Sequence, residues 1–124
     1  MNKRILVIDD EEALRELAAI CLEDLGGWDV TVAASGHEGL MQAATHTPDA
    51  ILLDVSMPDM DGFAVYEQLK ADDSLCQLPV VLLTAKVLPG DRSRFAQMDV
   101  AGVITKPFDP TSLCAELAAI LGWE

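Results

Sequence analysis

Leu52-Leu53-Asp54-Val55-Ser56-Met57-Pro58 is an apolar run that ends at an aspartate and is closed by a proline. Three other apolar runs also end at polar residues: 5–8 before Asp9-Asp10, 80–83 before Thr84, and 103–105 before Lys106. Runs of this kind are typical of strands buried on both faces of a parallel sheet. Open parallel sheets bind their ligands at the carboxyl ends of the strands. The pattern therefore predicts a site at one edge of the sheet, with Asp54 in its middle.

Predicted strands and helices alternate along the whole chain. The strands are residues 5–8, 30–33, 51–54, 80–83 and 103–105. The helices are residues 11–25, 36 to about 45, 61–71, 91–98 and 110–121. Strict alternation predicts an α/β domain, in which helices cover both faces of a parallel sheet and the crossovers are right-handed. Because no repeat or linker is visible, we expect one domain over residues 1–124.

Local signals mark the ends of these helices. Ser35, followed three residues later by Glu38, predicts a capping box at the start of the second helix. Gly26-Gly27 is expected to end the first helix, and Asp109-Pro110 to open the last. Apolar residues at helical spacing predict the buried face of the first helix. They are Leu14, Leu17, Ala18, Cys21 and Leu25.

Composition restricts the classes of function. The 124 residues are 51% hydrophobic, which is enough for one core, and the net charge is −13 with only eight basic residues. Such acidity argues against nucleic acid as a direct partner, since phosphate binding needs clustered Lys and Arg. The apolar runs are too short to span a membrane, and we expect no signal peptide. Three cysteines without C-x-x-C spacing argue against a metal or redox role and are typical of a reducing cytoplasm.

Asp9, Asp10 and Asp54 would repel one another if the sheet brought them together without a cation. Oxygen ligands of this kind suit Mg²⁺ or Mn²⁺. Each polar residue also has a simpler interpretation when taken alone. Asp9-Asp10 could cap a helix, Lys106 could be an ordinary surface lysine, and Thr84 could reflect β-propensity. Only their convergence on the strand ends favours a site.

Four motifs resemble the receiver domain of two-component response regulators. They are Asp9-Asp10, the stretch from Leu52 to Gly62, Thr84-Ala85, and Thr105-Lys106-Pro107-Phe108. The resemblance covers residues from about 3 to 121, and each motif falls at a predicted strand end. It implies a flavodoxin-like (βα)5 three-layer sandwich with strand order 2-1-3-4-5.

The resemblance also implies roles for these residues. Asp54 would accept a phosphoryl group from a histidine of a sensor histidine kinase or phosphotransfer protein. Asp9, Asp10, Asp54 and the backbone carbonyl of Ser56 would hold Mg²⁺. Lys106 and Thr84 would contact phosphoryl oxygens and act with Asp54 in catalysis. The protein would then be no enzyme in the usual sense, because it catalyses only its own phosphorylation and dephosphorylation.

Three positions depart from the family or vary within it. Many receivers have an aromatic residue three positions before the lysine, where this chain has Val103. A valine has one favoured χ1 and no ring to swing, so threonine–aromatic coupling is doubtful here. Ser56 and Lys86 flank the site, and we expect them to modulate water access and hence the lifetime of the acyl phosphate.

Several functions remain open at this point. We expect a stand-alone receiver that switches the binding of a downstream protein or relays phosphate, although a fragment of a longer regulator would have the same sequence. A receiver that does not switch and acts as a binding module is a second interpretation, kept open by Val103. A haloacid-dehalogenase-like phosphatase is disfavoured, because Ser56 stands where that family needs a second acid.

Overall fold

A computed structural model of the chain describes residues 3–57, 60–84, 93 and 95–123. In chain order its elements are β1 Arg4–Ile8, α1 Glu12–Gly26, β2 Asp29–Ala33, α2 Gly36–His46, β3 Ala50–Asp54, α3 Gly62–Ala71, β4 Val80–Thr84, β5 Gly102–Thr105 and the C-terminal helix Leu113–Leu121. Residues 95–97 are also helical. Of the helix predicted over 91–98, residues 91, 92 and 94 lie outside the described residues.

The strands form one parallel sheet in the order β2-β1-β3-β4-β5. The register aligns their carboxyl ends, since Ile8 lies opposite Leu53 and Thr84 lies opposite Thr105. The residues that follow β1 and β5 therefore emerge beside Asp54, the last residue of β3. The flavodoxin-like three-layer fold predicted from the sequence is confirmed.

The central strands owe their unbroken apolar runs to burial on both faces of the sheet. Every residue of β3 and β4 is buried. Alternate residues of the central strands feed two separate core clusters. Leu6, Ile8, Ile51, Leu53 and Leu82 belong to one cluster, and Ile5, Val7, Leu52, Val81 and Leu83 belong to the other. This packing holds the strand ends, and so the site, on a rigid base.

The buried face of α1 was predicted wrongly at two positions. Leu17 is 42% exposed and Leu25 is 61% exposed. The buried residues of the helix are Ala18, Cys21 and Leu22. Leu22 lies one turn after Ala18 and packs in a cluster with Trp28, which fills the core just beyond the helix. The face that meets the sheet is therefore rotated away from Leu17.

The predicted helix ends are confirmed with small differences. Glu38 N donates to Ser35 Oγ at 3.1 Å, whereas the Glu38 carboxylate accepts from Ala34 N at 2.6 Å, one residue before the expected donor. Gly27 ends α1 with φ of 68°, a conformation that a residue with a side chain adopts only with strain. Asp109 caps the turn 110–112 by accepting from Thr111 N, and the helix proper begins three residues later than predicted.

Candidate functional site

Three aspartates meet at the carboxyl ends of β1 and β3. Asp9 and Asp54 are almost completely buried, with exposures of 0% and 3%, whereas Asp10 is exposed. One carboxylate oxygen from each of the three lies within 4.8 Å of the other two. Their convergence was predicted from the strand ends and follows from the register of β1 and β3.

Lys106 reaches into this acidic group from the end of β5. Its backbone N–H donates to Thr84 O at 2.7 Å, which fixes the residue beside β4. Its Nζ lies 3.1 Å from Asp9 Oδ2 and 3.3 Å from both Asp54 Oδ1 and Glu11 Oε1. The side chain is only 12% exposed, so this ammonium is a largely buried charge among three carboxylates.

The negative charges at the site outweigh the positive charge of Lys106. Burial, followed by the charge of Asp9, raises the pKa of Asp54 to about 6, although Lys106 and the Ser56 amide oppose the shift. Burial lowers the pKa of Lys106, but its short contact with Asp9 and the charge of Asp54 outweigh this, so its pKa lies above the usual value. The ionised Asp54 carboxylate is therefore destabilised, while the charged lysine is stabilised.

The three aspartates fit a small divalent cation. Asp9 Oδ2 is buried and accepts no well-aligned hydrogen bond from the described residues, although Lys106 Nζ lies 3.1 Å away. A buried carboxylate oxygen without a hydrogen bond destabilises the folded state. A cation bound by the three aspartates would offset this destabilisation. A set made only of carboxylate oxygens suits Mg²⁺. The acidic cluster is thus compatible with the predicted magnesium site.

Ser56 follows Asp54 by two residues, and Thr84 ends β4, the strand that pairs with β3. Ser56 N donates to Asp54 Oδ1 at 3.3 Å, and the serine side chain is exposed. Thr84 is buried at the end of β4. Val103 is half-buried and packs against the core cluster that contains Leu82. The predicted metal contact from the Ser56 carbonyl stays a prediction, and Ala85 and Lys86 lie outside the described residues.

Three residues at the site received no role from the sequence. Glu11 pairs with Lys106, and Arg15 Nη1 donates to Asp9 O at 2.9 Å. Gly62 starts α3 against the end of β3, where an added Cβ would lie 2.6 Å from Asp54 O. Gly62 ends the motif that begins at Leu52, but its place there does not show how closely it approaches Asp54. Glu11 directly follows Asp9-Asp10, but this spacing does not show its contact with Lys106.

Comparison with known proteins gives the family. The family model described as the response regulator receiver domain matches residues 5–118 of the sequence. The chain is 40% identical over 121 residues to the alkaline phosphatase synthesis transcriptional regulatory protein PhoP of Bacillus subtilis, covering 98% of this chain and 49% of that protein. It is 41% identical to the response regulator PleD of Caulobacter vibrioides, over 97% of this chain and 26% of PleD.

A solved structure agrees with these relatives. The chemotaxis protein CheY4 of Vibrio cholerae superposes with a TM-score of 0.89 at 28% identity, over 97% of this chain and 99% of that one. The chain belongs to the response regulator receiver domain family. It spans about half the length, or less, of the curated relatives named above. No helix in the described part of the chain is long and apolar enough to cross a bilayer.

Proposed function

We propose that the protein accepts a phosphoryl group on Asp54 in a Mg²⁺-dependent reaction and changes its binding to a partner protein in response. The observation that carries this proposal is the contact between Lys106 Nζ and Asp54 Oδ1, 3.3 Å apart beside two further aspartates. A buried nucleophilic carboxylate, a fixed ammonium and an acidic cation site are the parts that phosphoryl transfer to an aspartate requires.

The chemistry proceeds in one transfer. A carboxylate oxygen of Asp54 attacks phosphorus on the phosphohistidine of the donor protein, so that an O–P bond forms and the P–N bond breaks. The electron pair of the P–N bond returns to the imidazole nitrogen, which takes up a proton. Lys106 and Thr84 stabilise negative charge on the phosphoryl oxygens. When bound by Asp9, Asp10, Asp54 and the Ser56 carbonyl, Mg²⁺ supplies the positive charge that this acidic site lacks.

The partners follow from the same chemistry. A sensor histidine kinase or a histidine phosphotransfer protein would donate the phosphoryl group, and a downstream protein would bind the phosphorylated form or receive the group in a relay. We infer a protein partner rather than nucleic acid, because the chain carries a net charge of −13. PhoP is named as a transcriptional regulator, but the matched region is only about half of it. A cytoplasmic location, where such kinases phosphorylate their targets, fits this role.

The reaction is confined to the protein itself. Phosphorylation and dephosphorylation of Asp54 are the only reactions that we assign to it, so it acts as a switch rather than as an enzyme with a separate substrate. Ser56 stands in the position where a phosphatase of the haloacid-dehalogenase type would need a second acid. The site therefore favours a receiver over a phosphatase of this type.

Incubation with Mg²⁺ and a small phosphodonor, followed by intact mass measurement, tests the proposal. Wild type should gain one phosphoryl group, and Asp54→Asn should gain none. Asp29→Asn is the matched control. Asp29 lies at the amino end of β2, whereas the site lies at the carboxyl ends of the strands, so this substitution should not alter the reaction. Phosphoryl uptake by Asp54→Asn would show that another residue is the acceptor. A wild type that takes up none from any donor would overturn the function.

A further inference from the structure

Glu11 contacts the ammonium of Lys106 without belonging to the aspartate cluster. Its Oε1 accepts a hydrogen bond from Lys106 Nζ at 3.3 Å, across 95 residues of sequence. Asp9 and Asp54 make the other two close contacts of the same ammonium. Of the three N–H donors of Lys106, two are used in hydrogen bonds to Glu11 and Asp54, and the ammonium also lies 3.1 Å from Asp9 Oδ2. A phosphoryl group on Asp54 would have to gain access to an ammonium that is already occupied.

The backbone holds Glu11 firmly in this position. Its N–H donates to Asp9 Oδ1 at 2.9 Å, and its carbonyl accepts from Arg15 N at 3.0 Å. Glu11 is thus the N-cap residue of α1, with φ of −86° and ψ of 112°. Both backbone groups are engaged, so the turn after β1 fixes the backbone of Glu11 beside Asp9, and the contact with Lys106 is made by the side chain.

The side chain of Glu11 does not serve the helix that it starts. N-cap positions favour Ser, Thr, Asp or Asn, whose short side chains accept from the first turn. Glu11 makes no such side-chain cap bond to α1, and its carboxylate turns to Lys106 instead. The N-cap position therefore carries a residue whose side-chain contact lies at the site, away from the helix.

We propose that Glu11 is a positioning residue that holds Lys106 in the unphosphorylated protein and competes with the phosphoryl group for its ammonium. This inference rests on the proposed function of Asp54 and adds a regulator to it. Glu11 lies outside the set of Asp9, Asp10 and Asp54, which is the set that would hold the cation. Loss of the contact frees Lys106 to bind phosphoryl oxygens.

The test compares three variants that separate contact from charge. Glu11→Gln removes the charge and weakens the contact, whereas Glu11→Asp keeps the charge but shortens the side chain by one methylene, out of reach of Lys106. Glu12→Gln is the control for charge. Glu12 lies in the first turn of α1, one residue after Glu11, and among the described residues it makes no contact with Lys106. Thermal unfolding of all three verifies that each variant folds.

Two measurements apply to each variant. The first is the rate of phosphoryl uptake from phosphoramidate with Mg²⁺, over a range of donor concentrations. The second is the affinity for beryllofluoride, a phosphoryl mimic, by titration calorimetry. Glu11→Gln and Glu11→Asp should both bind beryllofluoride about two- to five-fold more tightly than wild type, the size of effect expected for an ion pair whose carboxylate is exposed. Glu12→Gln should match wild type.

The outcomes separate this inference from the proposed function. If wild type takes up a phosphoryl group and Glu11→Asp behaves as wild type, the contact has no effect and the inference is overturned alone. Equal gains in Glu11→Gln and Glu12→Gln would assign the effect to general charge and would also overturn it. If wild type binds neither the phosphoryl group nor beryllofluoride, both the function and the inference are overturned.

Discussion

The hydroxyl of Tyr66 accepts a hydrogen bond of 2.6 Å from the backbone N–H of Asp99, which joins α3 to the loop before β5. Phe63 of α3 also stacks on Phe95, with ring centroids 5.9 Å apart. Lys70 Nζ adds an exposed ion pair to Asp99 at 3.9 Å. These contacts tie α3 to the segment between β4 and β5, which follows Thr84 in the chain. A displacement of residues 95–99 would therefore alter these contacts with α3.

Tyr66→Phe should lower the free energy of unfolding by about 0.5–1 kcal/mol, because one hydrogen bond is lost while the ring stays packed. Asp99 is exposed, so water replaces the lost acceptor and keeps the cost at this level. Urea unfolding measures the change, and the slope with urea should not alter. A loss below about 0.2 kcal/mol would show that the Tyr66 hydroxyl bond is not formed in solution.

Asp54→Asn should stabilise the metal-free protein at pH 7.5. Folding raises the pKa of Asp54 from 3.8 to about 6, so the folded protein binds this proton more tightly than the unfolded chain does. The contribution of Asp54 to stability is therefore full below pH 3.8 and is lost as the pH rises through 6, a change on the order of 2–3 kcal/mol. The asparagine variant does not incur this loss.

Unfolding of wild type and Asp54→Asn in the presence of a chelator, from pH 4 to 8, measures this difference. The variant should be more stable at high pH, and the gap should narrow as the pH falls below 6. Asp29→Asn, at the exposed start of β2, is the control and should track wild type at every pH. A gap independent of pH would mean that Asp54 does not titrate in this range.

Gly62→Ala should destabilise the protein by about 1–3 kcal/mol, the usual cost of overpacking. The added Cβ would lie 2.6 Å from Asp54 O and 2.8 Å from Val55 Cα, and these backbone atoms cannot rotate away. Gly102→Ala in β5 is the control, because the three atoms nearest its added Cβ, 2.8–3.2 Å away, all belong to the side chain of Ile120, which is only half-buried. Thermal unfolding ranks the two, and an equal or smaller cost for Gly62→Ala would contradict the argument.

The sequence predicted the aspartate cluster and Lys106 because strand ends converge wherever a parallel sheet forms. The positions of β1 and β3 were enough to predict that Asp9 and Asp54 lie close together. Glu11 could not be predicted in this way, because its contact with Lys106 depends on the turn that makes it an N-cap. The buried face of α1 was missed in part for a similar reason. Helical spacing shows which residues share a face, whereas the packing of Leu22 and Trp28 decides which face is buried.

Mg²⁺ should stabilise wild type against heat, and Asp10→Asn should remove most of this effect. A ligand that binds only the folded state at tenfold its Kd adds about 1.4 kcal/mol, and three nearby carboxylates supply such a site. Asp10 is exposed, so its substitution should leave the metal-free stability within about 0.5 kcal/mol of wild type. The loss would then concern the metal site rather than the fold. Asp24→Asn, which removes an exposed charge far along α1, is the control for net charge. Thermal shifts that are equal in wild type, Asp10→Asn and Asp24→Asn would place the Mg²⁺ effect away from the aspartate cluster.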